Sequence, residues 1–180
     1  EASYVALEQG YTAYSANAGL IELREEIATY MKERFSVKYD PASELIVTTG
    51  ASQALDIAFR ALLNPGDEVI VVEPAFVSYG PLIEMAGGKV VPVACRPEKG
   101  FRLDRDDVER VITERTKAIL LCFPSNPTGA TMNGDELAQI AELATKYDLW
   151  VVSDEIYAEL CYDEPFTSFA TLHDMRDRTI

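Results

Sequence analysis

Three short stretches carry residue types that could act together on one small charged ligand. In Thr49-Gly50-Ala51-Ser52-Gln53-Ala54-Leu55, small residues lead straight into an apolar-periodic segment. At such a helix start the free backbone N–H groups, with the positive helix end, can hold an anion such as phosphate. The stretch is neither a Walker A loop nor GxGxxG, and an ordinary capped turn would use the same residues. Pro124-Ser125-Asn126-Pro127-Thr128-Gly129 mounts one amide side chain between two prolines. These are turn formers, yet the rigid mounting suits a polar group that must be aimed. In Ser153-Asp154-Glu155-Ile156-Tyr157, Asp154 follows the apolar run Leu149-Trp150-Val151-Val152. Its carboxylate therefore falls at the end of a buried strand, where burial is costly unless a cation meets it. Asp154 would serve either as a helix cap or as the partner of a cationic ligand ring.

The elements that must position these groups are legible as alternating patterns. Five short, apolar, β-branched runs read as strands covered on both faces: Leu45–Thr49, Glu68–Glu73, Val90–Cys95, Ala118–Phe123 and Leu149–Ser153. Helical spacing fills most of the gaps, over Ser52–Leu63, Phe76–Ala86 and Asp135–Tyr147, and Leu20–Phe35 makes a longer amphipathic helix ahead of them. On that first helix Glu22 and Glu26 are expected to face Arg24 and Lys32. The charged run Asp104–Arg115 reads as a solvated helix face. Strands alternating with helices predict an α/β fold, three layers αβα around a mostly parallel sheet.

In such a sheet ligands bind beyond the carboxyl ends of the strands, and all three stretches fall there. A phosphate anchor, an aimed amide and a buried carboxylate together describe pyridoxal 5'-phosphate. That cofactor has a phosphate, a phenolic oxygen and a ring nitrogen that works best protonated.

Composition excludes other classes. With 16 basic and 30 acidic side chains the net charge is −14, which disfavours nucleic acid and anionic membranes as partners. No uncharged apolar run reaches the roughly 18 residues that span a bilayer. Glu1–Gly10 has neither the basic start nor the apolar run of a secretory leader. Cys95, Cys122 and Cys161 are three, widely spaced and without a CxxC pair, and His173 is the single histidine. A zinc site or Cys/His nucleophile is not expected, and a reducing, cytoplasmic compartment is. Cys95 and Cys122 read as buried free thiols, and His173 as solvated surface.

Over its whole length the chain resembles the aspartate aminotransferase family, class I/II aminotransferases among the fold-type I pyridoxal phosphate enzymes. Tyr14 with Gly19-Leu20-Ile21-Glu22-Leu23-Arg24, and the three stretches above, carry the resemblance. It implies that the backbone of Ala51 and Ser52 holds the cofactor phosphate. By the same resemblance Phe76, in Glu73-Pro74-Ala75-Phe76-Val77-Ser78-Tyr79, stacks on the ring. Asn126 and Tyr157 bond the phenolic oxygen, Asp154 pairs with the ring nitrogen, and Tyr14 reaches across a homodimer to the partner subunit's phosphate. It also makes Glu73-Pro74 and Asn126-Pro127 candidates for cis peptides. Strict aspartate aminotransferases carry tryptophan where Phe76 stands, so the resemblance leaves the amino donor open.

The family's cofactor lysine sits in a Ser-Lys motif just after a strand that would begin near Thr179-Ile180. No catalytic lysine is therefore expected within the chain, and none of its six lysines occupies such a motif. Residues 1–180 are read as part of the cofactor-binding large domain, lacking its last two strands and the small domain. Leu45–Thr49 would normally pair with one of those strands and should stand apart from the other four. Such a piece should be poorly stable by itself. The activity implied is transfer of an amino group from an amino acid to a 2-oxo acid. The alternatives on one scaffold are a carbon–sulfur lyase and an aminotransferase-like sensor domain of a transcription regulator.

Overall fold

The computed structural model describes residues 1–162 and 164–180. It divides into two compact units, Glu1–Thr48 and Thr49–Ile180.

The first unit holds α1 (Ala2–Glu8) and α2 (Ile21–Phe35). Arg24 on α2 is buried instead of lying among the acids of its own helix. Its Nη1 donates to the carbonyls of Pro41 at 2.8 Å and Ala42 at 3.2 Å. The expected pairing with Glu22 and Glu26 gives way because a buried guanidinium needs acceptors it can reach inside. Helix α2 ends where Ser36 turns left-handed, at φ 61°. The run Leu45–Thr49 joins no ladder, and Ile46 is exposed. This corrects the expectation of five strands within the chain, while agreeing that this run would stand apart. A strand is made by pairing with a second strand, and none of the four described strands pairs with this run.

The second unit is a sheet covered on both faces. Its strands are β1 (Glu68–Glu73), β2 (Lys89–Ala94), β3 (Thr116–Cys122) and β4 (Trp150–Asp154), in the order β2-β1-β3-β4 with every pairing parallel. The helices are α3 (Ala51–Leu62), α4 (Tyr79–Met85), α5 (Arg105–Glu109) and α6 (Gly134–Lys146). Alternation along the strands sorts the core into two. Val69, Val71, Ala118, Leu120 and Val152 pack with Leu55 and Phe59 of α3 and Ile83 of α4. Ile70, Ile119, Leu121 and Val151 pack with Val108 of α5 and Leu137, Ile140 and Leu143 of α6. The chain thus leaves β1 over one face and returns to β3 over the other, which puts a topological switch at the β1/β3 junction.

Local chemistry fixes the ends. Helix α6 starts at a capping box in which Asn133 Oδ1 accepts from the Glu136 amide and Glu136 Oε2 accepts from the Asn133 amide, each at 2.9 Å. Helix α4 begins three residues later than the periodicity suggests, because Phe76–Ser78 form a turn closed by the Tyr79 amide on the Phe76 carbonyl. Of the charged run Asp104–Arg115 only Arg105–Glu109 forms a helix, and Val108 on it is fully buried. Beyond β4, the backbone of 178–180 lies along that strand: Ser153 donates to the Ile180 carbonyl and Ile180 to the Val151 carbonyl, both at 2.8 Å. A further parallel pairing therefore starts where the sequence placed it.

Gly88 tests the packing between α4 and β2. A methyl group there would sit 2.8 Å from Leu63 Cδ1 and 3.0 Å from Ile83 Cγ2. Gly88→Ala should lower stability by about 1–3 kcal/mol, read as a reduced denaturant midpoint at unchanged slope.

Candidate functional site

The loops leaving β1, β3 and β4 emerge at one edge of the sheet, because those strands are parallel. Helix α3 runs into β1 through a short turn and packs on the sheet, so its N-terminus returns to that same edge. Gly50 caps it at φ 85°, with no side chain closing the helix start. Among the described residues, no acceptor meets the amides of Ala51 and Ser52, and both residues are exposed. Gln53 folds back so that its Oε1 accepts from the Thr49 amide at 2.6 Å, which steadies the turn.

Asp154 is the last residue of β4, directly opposite Cys122, the last residue of β3. By strand alternation both point to the face that carries α3 and α4. There the Tyr79 hydroxyl, on the first residue of α4, donates to Asp154 Oδ2 at 2.7 Å. Asp154 Oδ1 accepts from the Ile156 amide at 3.3 Å. Tyr79 is 3% exposed, and burial beside Asp154 and Cys122 pushes its hydroxyl far above the usual tyrosine range, so it remains a donor. Phe76 stands edge-on to Tyr79, with ring centroids 5.6 Å apart. Burial also raises the Cys122 thiol from its ordinary value.

Asn126 and Tyr157 line one cleft of about 520 Å3, together with Pro124, Pro127, Tyr162 and Phe166. The loop that presents Asn126 contains cis peptides at Phe123-Pro124 and Asn126-Pro127, and Glu73-Pro74 is also cis. Two of these were expected, and Phe123-Pro124 was not. Tyr14 is exposed, in the first unit. The structure thus gathers Phe76 and Asp154 around Tyr79, and Asn126 and Tyr157 in the adjoining cleft, with Ala51 and Ser52 at a helix start on the same edge.

Two contributors escaped the sequence reading. Tyr79 lies in the same stretch as Phe76 but carries no role in the sequence reading; it opens α4, and Phe76 starts the turn that leads into it. Glu155 faces the opposite side from Asp154. Its Oε1 accepts from the Phe169 amide at 2.9 Å, Ser153 Oγ at 3.0 Å and Ser168 Oγ at 3.2 Å. It ties the 168–169 backbone to the end of β4, behind the cleft. Only convergence in space reveals that role.

Burial raises the Glu155 carboxyl from its ordinary value despite those donors. The folded state therefore holds its proton more tightly than the unfolded chain, and wild type loses stability as pH rises through the raised titration. Glu155→Gln keeps the accepting oxygen and escapes that loss. It should match wild type in acid below the ordinary glutamate range and equal or exceed it at neutral pH. Glu155→Ala should cost about 1–3 kcal/mol, since it strands the buried donors. Melting curves across pH check both.

The comparisons with known proteins follow this geometry. The family model described as aminotransferase class I and II matches residues 1–179. A Bacillus subtilis (strain 168) protein named as an aminotransferase, YugH, is 58% identical over the whole chain, which covers 47% of its length. The aspartate aminotransferase of Pyrococcus abyssi is 43% identical over 97% of the chain and 45% of its own. A crystal structure of an aromatic aminotransferase from Pyrococcus horikoshii OT3 superposes with a TM-score of 0.97 at 41% identity, over 98% of this chain and 48% of that one. The chain spans about half the length of the curated relatives it matches. A match along nearly the entire chain, on a parallel sheet of the same architecture, establishes that it belongs to the class I and II aminotransferase family.

Proposed function

We propose that these residues form the cofactor-binding part of a pyridoxal-phosphate-dependent aminotransferase that moves an amino group from an amino acid to a 2-oxo acid. The observation that carries this reading is Asp154, an acceptor-only carboxylate held at the end of β4 by the Tyr79 hydroxyl and the Ile156 amide. Around it the available groups fit the cofactor's three polar features. Amides without acceptors at the start of α3 suit a phosphate, the carboxylate suits a protonated ring nitrogen, and Asn126 with Tyr157 suits a phenolic oxygen.

When bound, the cofactor supplies an electron sink for the bond broken at the substrate Cα. The chain's own groups would anchor and tune it. Ala51 and Ser52 would donate N–H groups to the phosphate, and Asp154 would hold the ring-nitrogen proton. The Asn126 amide and Tyr157 hydroxyl would donate to the phenolic oxygen, while Phe76 would lie against the ring. Tyr14 would serve the phosphate of the partner subunit in a homodimer. We place the lysine that holds the cofactor beyond Ile180, in a longer protein with a small domain, and the whole in the cytoplasm. Among the described residues no helix is long and apolar enough to cross a membrane.

The full-length protein, loaded with cofactor and given an amino donor without an acceptor, should release one 2-oxo acid per site. No release from any of the common amino acids would sink the reading. Asp154→Asn should lower kcat/KM by about two orders of magnitude, while the melting curve stays near wild type because the amide oxygen can still accept from the Tyr79 hydroxyl.

A further inference from the structure

We propose that Glu155 is a positioning residue that acts through Tyr157, by closing the neck of the segment that forms one wall of the cleft beside Asn126. The inference rests on the function proposed above, which sets Tyr157 against the phenolic oxygen of the cofactor.

The wall is built from one stretch of chain. Leu160, Tyr162, Pro165 and Phe166 line the cleft together with Tyr157, and all five lie between the end of β4 and Ser168. Glu155 meets this stretch at both ends. On the outgoing side its carbonyl accepts from the Ala158 amide at 3.0 Å, which opens the short helical turn Ala158–Leu160 that Tyr157 caps. On the returning side its carboxylate takes the Phe169 amide, 14 residues further on, and the Ser168 hydroxyl. The Ser153 hydroxyl, from within β4, is the third donor to the same oxygen. One residue thus fastens the first turn of the wall and its last residues to the end of one strand.

Little else described here holds the wall in place. Ile156, Leu160 and Tyr162 are exposed, so the stretch has few buried apolar contacts of its own. The returning end is different: Ser168 and Phe169 are buried, and Phe169 packs in the core with Leu121 and Leu137. Through the Glu155 carboxylate, the outgoing turn that carries Tyr157 is referred to that core. A donor aimed at a ligand must keep its place to within a fraction of an ångström, and a clamp at the neck supplies that constraint.

The test uses the full-length protein and reads two quantities, the dissociation constant of pyridoxal phosphate and the position of the bound cofactor's absorption band. Tyr157→Phe should weaken binding about tenfold and displace the band, because one hydrogen bond to a charged oxygen is lost. Glu155→Ala should displace the band in the same direction. Combining the two should be no worse than Tyr157→Phe alone, since a clamp that acts through one hydroxyl has nothing left to position. Glu155→Gln keeps the accepting oxygen, so its band should remain at the wild-type position with binding within about threefold. Where Glu155→Ala does not fold, Glu155→Asp takes its place with the same expectation, its carboxylate falling one methylene short of the returning end. Losses that add in the double variant, or a lowered melting temperature with an unmoved band, overturn this inference only. A wild-type protein that takes up no cofactor, or a Tyr157→Phe variant with an unmoved band, overturns the reading it rests on and this inference with it.

Discussion

The parallel pairing of β3 with β4 places Cys122 and Asp154 side by side at the carboxyl edge of the sheet, and the arrangement of the site depends on that register. A slip of one residue would turn Asp154 toward α6 and leave the buried Tyr79 hydroxyl without its acceptor. The register is held by the two cores. On one face Leu120 and Val152 must meet α3 and α4, while on the other Ile119, Leu121 and Val151 must meet α6. Burial of these side chains thus fixes where a single carboxylate stands.

The same alternation divides labour between two adjacent acids. Asp154 points to the α4 face, where one hydroxyl and one amide leave it acceptor capacity for a ligand. Glu155 falls on the α6 side and is consumed by three donors from Ser153, Ser168 and Phe169. Glu155 braces the loop behind the cleft, and Asp154 keeps unused acceptor capacity. Neighbours in sequence meet different surroundings because successive residues leave a strand in opposite directions.

The switch between β1 and β3 explains why the groups converge. With the chain leaving over one face and returning over the other, the loops after β1 and β3 part at the sheet edge and open a space between them. Phe76 and Tyr79 come from the first loop and the helix it opens, and Asn126 from the second. The start of α3 completes the edge with amides that no side chain caps.

Much of this was readable in residue order. Apolar runs such as Ala118–Phe123 reveal a buried parallel sheet, the Asn64-Pro65-Gly66 stop bounds α3, and the placement of Asp154 and Asn126 after strands marks the functional edge, because these signals are local and periodic. Leu45–Thr49 shows the limit: its composition is that of a strand, but pairing is a property of two segments and not of one. Arg24 shows another, since which acceptors a buried guanidinium finds depends on a loop 17 residues away. The link between Tyr79 and Asp154 joins residues 75 positions apart. Sequence alone determined the family, the fold class and the types of side chain offered at the strand ends. Tertiary structure alone decided that Tyr79 and Asp154 meet there, because hydrogen bonds between distant residues exist only once the packed cores have set register and face.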